Sequence, residues 1–227
     1  QQSGSLMAID TYAKLQSAIS DELNRNDLLA AVTTYSSGTI DGAVKRSIEA
    51  CEYRIQRTLR IRQMETSTSI TTVGGTSSYT LPSDFLSARL AYISADPVTV
   101  LQQTTLENLF SQYPSAATAQ PAMIAVSGAS LLMRPVPDAA YTIPFYYYAK
   151  PAPLTDTNST NTILAVAPDI YLYGSCLEIT RFLGEDQRIQ VWKGFYDEAV
   201  RLITEDSNAA KWSGVLVQAA LPVTVVV

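Results

Sequence analysis

The sequence predicts an α+β fold: an antiparallel frame of about four to five helices, a small antiparallel β-module inserted into it, and an extended C-terminal tail. Three observations support this prediction. Apolar residues recur every three or four positions toward both ends of the chain, β-branched residues between turns fill its middle, and its last fifteen residues carry no charge. The predicted segments are a vector-derived extension (1–6), the N-terminal helices of the frame (7–64), the inserted β-module (65–166), the C-terminal helices of the frame (167–212) and an apolar docking tail (213–227).

The N-terminal part of the frame is predicted to contain three helices. The first covers Ile9–Asn24, a shorter one covers 27–35, and the third begins after Thr39, a good N-cap residue. One side of the third helix carries an apolar stripe formed by Ile40, Val44, Ile48, Cys51, Ile55 and Leu59. The opposite side carries six of the chain's 16 basic residues, namely Lys45, Arg46, Arg54, Arg57, Arg60 and Arg62.

Two interpretations of this basic side are open. It can be a solvated face whose charges pair with Glu49 and Glu52. Alternatively, it can line a channel or meet another subunit, with four residues as candidates: Arg46, Arg54, Arg57 and Arg60. Non-specific contact with DNA passing through such a channel would require only positive charge against phosphate, without recognition of the bases.

The β-module is predicted to begin after Met64, where the apolar period changes. Thr66–Val73, the turn residues Gly74 and Gly75, and Ser78–Leu81 together favour a β-hairpin. A short helix over Thr104–Tyr113 is expected to start from Thr104 as its cap. Four further strands are predicted at 88–93, 123–126, 130–134 and 141–149.

The run from Phe145 to Tyr148 lies in the last of these strands. Alternation places Phe145 and Tyr147 on one face and Tyr146 and Tyr148 on the other. One face must belong to the core. The other is open to two interpretations, burial against the helical frame or contact with a neighbouring subunit.

The C-terminal part of the frame is predicted to contain two helices, Pro168–Leu183 and Gln187–Lys211. Beyond them lies the uncharged tail, whose apolar residues are Val215, Leu216, Val217, Leu221, Val223, Val225, Val226 and Val227. Because a free segment of this kind promotes aggregation, we expect it to be covered. Either it folds back as a core strand, or it docks on another subunit, where strand addition would suit its β-branched content.

Composition argues against several functional classes. The net charge of −5 does not fit a duplex-DNA binder, which normally carries a concentrated basic surface. The absence of histidine removes serine- and cysteine-based catalytic dyads and most catalytic zinc sites. No phosphate-binding loop or nucleophile elbow is found, so neither catalysis nor a cofactor is expected. No stretch reaches the roughly 20 apolar residues of a membrane-spanning helix, so no membrane partner is expected.

The two cysteines, Cys51 and Cys176, lie far apart inside predicted helices and form no Cys-x-x-Cys motif. We therefore expect two buried thiols in a reducing compartment rather than a disulfide.

Four sequence segments resemble a known family. Ser78–Phe85 (SYTLPSDF), Leu131–Asp138 (LLMRPVPD), Tyr146–Leu154 (YYYAKPAPL) and Pro168–Gly174 (PDIYLYG) follow one another as similar segments do in the head-to-tail adaptor proteins of tailed phages, the tail tubular A-type and related connectors. The resemblance covers about residues 40 to 205. Its four motifs are individually short, and their common order makes the combination informative.

The resemblance implies a structural protein of the virion neck, made in the host cytoplasm and acting by binding. Its relatives form a ring, usually of twelve subunits, beneath the portal protein and join it to a tail or nozzle protein. A C-terminal extension often docks on the portal in such proteins, which would suit the uncharged tail of this chain. Two alternatives stand beside this one: a glycan-directed cell-wall hydrolase or binding protein that uses the aromatic strand, and an unrelated bacterial structural domain.

Overall fold

The computed structural model describes residues 8–24, 40–183 and 187–212. This part of the chain confirms the predicted α+β class, with six α-helices and two four-stranded sheets. The helices are α1 (Tyr12–Leu23), α2 (Ile40–Thr58), α3 (Leu106–Gln112), α4 (Thr162–Val166), α5 (Pro168–Leu183) and α6 (Ile189–Trp212). The strands are β1 (Glu65–Thr71), β2 (Ser78–Thr80), β3 (Phe85–Ile93), β4 (Thr99–Val100), β5 (Gln102–Gln103), β6 (Met123–Ser127), β7 (Ser130–Arg134) and β8 (Thr142–Ala149).

One apolar core belongs to the helices, and we call α1, α2, α5 and α6 the helical frame. The apolar stripe of α2 is buried in it, as its period predicts: Val44, Ile48, Cys51, Ile55 and Leu59. The stripe of α6 is buried there too, through Trp192, Tyr196, Ala199 and Ile203. The two cysteines are free and buried, as expected.

Gly174 allows the helices of the frame to approach closely. α5 packs against both α2 and α6. A Cβ atom at position 174 would collide with Cys51 Sγ and would lie 3.1 Å from a ring carbon of Tyr196. The missing side chain therefore determines how near α5 can lie to its two neighbours.

A second apolar core lies between the two sheets, and we call the strands together with α3 the β-module. The sheets have the strand orders β1-β8-β3-β4 and β2-β7-β6-β5. Residues of both sheets meet in this core, among them Phe145 and Ile143 of β8 and Leu131 and Met133 of β7. The module is mostly antiparallel as predicted, but β5 runs parallel to β6.

The predicted hairpin between Thr66–Val73 and Ser78–Leu81 is wrong. β1 pairs with β8, whereas β2 pairs with β7 in the other sheet. Gly74 lies so close to the Asp138 carbonyl oxygen that a Cβ would be 2.9 Å from it, and the N–H of Gly75 donates to Pro137. The two glycines thus carry the chain from one sheet to the other instead of closing a hairpin.

Two helix starts also differ from prediction. Thr105, not Thr104, caps α3, and its hydroxyl accepts from the N–H of Asn108. The loop before Asn161 leads into helix α4, which was not predicted and which begins where the Asn161 side chain accepts from the N–H groups of Ile163 and Leu164. The predicted helix over 27–35 and the tail 213–227 lie outside the described residues.

Candidate interaction surfaces

The four arginines of the predicted basic side differ in their surroundings. Arg54 turns into the frame, and its Nε donates to Glu178 at 3.0 Å. Arg60 joins α2 to the β-module, donating to the Ser87 hydroxyl at 3.2 Å and to the Gln56 carbonyl at 2.8 Å. Both guanidinium groups therefore hold elements of one subunit together.

The side chains of Arg46 and Arg57 lie at the surface of α2. Arg57 is exposed, and among the described residues its guanidinium donates to the backbone carbonyl of Tyr53, one turn earlier. Arg46 is half-buried and forms no ion pair with any residue that the structure describes. These two cations are therefore available to a phosphate or a carboxylate from outside the subunit.

A cavity of about 300 Å³ lies beside Arg46, between α2 and the loop before α4. Its wall includes Glu49 and Glu52, and Lys45 closes one side through an ion pair with Asp156 at 3.0 Å. A second cavity of about 520 Å³ shares Glu49 and Glu52 and extends toward the β-module. Neither carboxylate was expected to occupy a concave site.

Glu52 is the most perturbed carboxyl group of this region. Its side chain is buried and accepts a hydrogen bond from the Leu154 N–H at 2.7 Å. Burial raises its pKa to about 7, with the nearby Glu49 acting in the same direction and the hydrogen bond opposing it. The group therefore anchors the loop to α2 and also changes charge near neutral pH.

The aromatic strand β8 follows the predicted alternation. Phe145 and Tyr147 lie in the core between the sheets, and their ring centroids are 5.7 Å apart. On the other face, Tyr146 stacks against Tyr92 and Tyr148 packs against the core of the frame. Of the two interpretations left open for this face, burial against the frame therefore holds for Tyr148.

The last turn of α6 is attached to the β-module at one point, which we call the Lys211 clamp. Lys211 Nζ lies 2.7 Å from the Tyr148 hydroxyl and 3.3 Å from the Glu65 carboxylate. The same carboxylate also pairs with Arg89. Glu65 and Tyr148 face each other across β1 and β8, so one residue of the frame joins both strands.

The outer side of α6 carries an unexpected apolar ridge. Val191, Phe195 and Leu202 are each about half exposed and recur at spacings of four and seven residues. The Phe195 ring contacts Tyr173 of α5, with centroids 5.0 Å apart. Helical spacing places these side chains on one face, which suits contact with another protein.

Within the described residues, no group of three or more histidine, cysteine, aspartate or glutamate side chains could hold a metal ion. None of the helices described there is long and apolar enough to cross a lipid bilayer. The predicted portal-docking residues of the tail, from Val215 to Val227, lie outside the described residues.

Comparison with known families identifies the group to which this architecture belongs. The model of the SU10 adaptor protein family matches residues 10–219, which is most of the chain. The chain belongs to the SU10 adaptor protein family. This finding confirms the resemblance to phage head-to-tail adaptors, a structural family. No curated protein matches the chain.

Proposed function

We propose that this chain is a structural subunit of the virion neck that forms a ring beneath the portal and joins it to a tail or nozzle protein. Membership of the SU10 adaptor family over residues 10–219 carries the proposal. The ring of twelve subunits and the position below the portal are implied by the resemblance. Function is then binding between large surfaces, and no chemical step is required.

The helical frame supplies the surfaces for ring contacts in this proposal. The α6 ridge of Val191, Phe195 and Leu202 offers apolar area to a neighbour. Arg46 and Arg57 offer positive charge, either to a neighbouring subunit or to DNA passing through the ring. Arg54 and Arg60 support these surfaces from within, since their guanidinium groups bind elements of their own subunit.

The tail is the proposed portal-binding element. It has fifteen residues without charge, and eight of them are large and apolar: Val215, Leu216, Val217, Leu221, Val223, Val225, Val226 and Val227. The Lys211 clamp fixes the point from which it leaves the frame. A short segment that starts from a fixed point loses less entropy on binding than one attached through a long linker.

Removal of residues 213–227 tests this element. The shortened chain should remain folded, with the helical circular dichroism of the full chain and a cooperative unfolding transition, because the two cores are formed by residues before position 213. Its retention on immobilised portal should fall at least roughly tenfold. Substitution of Val98 by Lys is the matched control, since it changes an exposed apolar residue outside both the tail and the α6 ridge. Unchanged portal affinity of the shortened chain would rule out docking through the tail.

A glycan-directed function is the second candidate, and one observation favours it. Glu52 lies beside Glu49 in the wall of two neighbouring cavities and has a pKa raised to about 7, as a general acid requires. Incubation of purified protein with peptidoglycan decides the question. An enzyme would release soluble fragments and lose this activity on Glu52→Gln. An adaptor would release none with either chain.

A further inference from the structure

The β-module has one long open edge. Four strands lie at the edges of its two sheets, and three of them are only two or three residues long: β2, β4 and β5. β1 has seven residues and pairs with β8 without interruption. Its other side therefore presents a row of backbone N–H and C=O groups that no strand of the described chain pairs.

β1 also lacks the usual protection of an open edge. Natural edge strands carry charged residues, prolines or bulges that prevent pairing with other chains. Thr66–Thr71 contains no charge and no proline. The Glu65 carboxylate is occupied by Arg89 and Lys211. We therefore expect another strand to cover this edge.

The side chains of β1 that face the core are less buried than their partners on β8. Thr68 and Ile70 face Phe145 and Ile143, which are fully buried in the core. Thr68 and Ile70 themselves are only half-buried, because the sheet ends beside them. A further strand would extend the core across both residues.

The Lys211 clamp brings a suitable segment to this edge. Lys211 is held at Glu65, the first residue of β1, and the tail begins two residues later. Seven residues of β1 extend over roughly 23 Å, and fifteen extended residues reach roughly 50 Å. The tail is therefore long enough to run along the whole edge in either direction.

We propose that, in the free subunit, the tail 213–227 adds to the open edge of β1 as a further strand. Its β-branched segments at 215–217 and 223–227 supply side chains suited to a half-buried sheet face. The inference goes beyond portal docking, since it assigns the tail a binding site on its own subunit. The portal and β1 then compete for the same tail, and docking on the portal opens the β1 edge.

Hydrogen exchange of backbone amides in the full chain tests this proposal without portal. In β1, alternate N–H groups point toward β8, and the others point toward the open edge. The test variant has Pro in place of Leu216, Val217, Thr224 and Val225. Proline has no backbone N–H, so two successive hydrogen-bond donors are lost in each β-branched segment, whichever of them faces β1. The variant with Ala219 and Ala220 replaced by Pro leaves both segments intact and serves as the matched control.

The edge-facing amides of Glu65–Thr71 should exchange at least roughly tenfold more slowly in the native chain than in the four-proline variant. The control variant should retain this protection, and exchange in α2 and α5 should be equal in all three proteins. Equal exchange of the edge-facing amides in the native and four-proline chains would overturn the proposal. Protection that disappears on dilution would also overturn it, since the strand would then come from a second copy.

Discussion

The helical frame and the β-module each contain an arginine–glutamate pair, and the two pairs have different surroundings. In the frame, Arg54 pairs with Glu178, whose side chain is only 6% exposed. In the module, Arg89 pairs with Glu65; this carboxylate is 17% exposed, the arginine is 41% exposed against 32% for Arg54, and Lys211 is a second cation for the same carboxylate. The carboxylate of the frame is thus the more buried of the two, whereas that of the module is more solvated and lies between two cations.

The same contrast extends to the other polar groups of the two regions. In the frame, Glu52 accepts from Leu154, and Asn161 donates to the Tyr171 hydroxyl, so that buried groups determine one arrangement of helix and loop. The core between the sheets is formed by apolar and aromatic side chains, and the buried polar residue of the module is Thr72, whose hydroxyl donates to the Ala139 carbonyl. Among the described residues, buried polar groups are therefore concentrated in the frame.

The largest difference in the free energy of unfolding is expected between substitutions of Arg54 and of Arg89. Arg54→Met leaves the buried Glu178 carboxylate without its arginine and should lower the free energy of unfolding by about 3 kcal/mol. Arg89→Met should lower it by less than about 1 kcal/mol, because Lys211 still neutralises Glu65. Urea denaturation measures both values. Equal losses of unfolding free energy in the two variants would contradict this contrast between the frame and the module.

A double substitution separates charge from shape in the frame. Arg54→Met combined with Glu178→Gln also removes the buried negative charge and should recover more than half of the loss. Arg57→Met is the matched control on the same helix, since Arg57 is exposed and its Nε donates to the Tyr53 carbonyl. Its effect should stay within about 0.5 kcal/mol.

The close approach of helices at Gly174 predicts the next largest effect. Gly174→Ala places a methyl group against Cys51 and Tyr196 and should cost about 1–3 kcal/mol. Gly194 in α6 has no atom within 4 Å of an added Cβ, so Gly194→Ala should stabilise the chain by about 0.5–1 kcal/mol. Thermal unfolding of both variants gives the comparison. Equal signs for the two substitutions would show that Gly174 does not limit the helix spacing.

Glu52 predicts a smaller effect that depends on pH. Its pKa is about 7 in the folded chain and near 4.5 in the unfolded chain, so the folded state binds the extra proton. Its contribution to stability is complete below pH 4.5 and is lost as the pH rises through 7. Glu52→Gln keeps an acceptor for Leu154 and should be more stable than the native chain at pH 8, by about 1–2 kcal/mol after allowance for solvent screening.

Unfolding titrations between pH 5 and pH 8 measure this difference. The stability advantage of the Glu52→Gln variant should shrink toward pH 5, where the native Glu52 side chain is protonated and therefore also uncharged. An advantage independent of pH would assign the effect to shape instead of charge.

Local patterns in the sequence predicted the helices more successfully than the strand pairing. The periods of three and four residues in α2 and α6 located their buried faces, because one helix face requires only local spacing. The predicted pairing of β1 with β2 was wrong because Gly74 and Gly75 are equally suited to a tight turn and to a crossing between sheets. The choice depends on Phe145 and Ile143, about 70 residues later, and no local signal contains that information.

The candidate sites show the same limit. The basic side of α2 was visible as a pattern, but the roles of Arg54 and Arg60 depend on Glu178 and Ser87, which come from distant segments. Burial of Glu52 follows from a loop that folds back onto α2, so its pKa had no signal in the sequence. The α6 ridge could have been noticed, because the spacing of Val191, Phe195 and Leu202 places them on one helix face, beside the buried stripe.

Electron microscopy of the full chain mixed with its portal tests whether the protein is an adaptor. A neck subunit should add a closed ring of density to one end of the portal, with the symmetry of a subunit ring and an open central channel. The same preparation without portal should lack that density. Portal particles that remain unchanged at saturating concentrations of the folded chain would contradict an adaptor function.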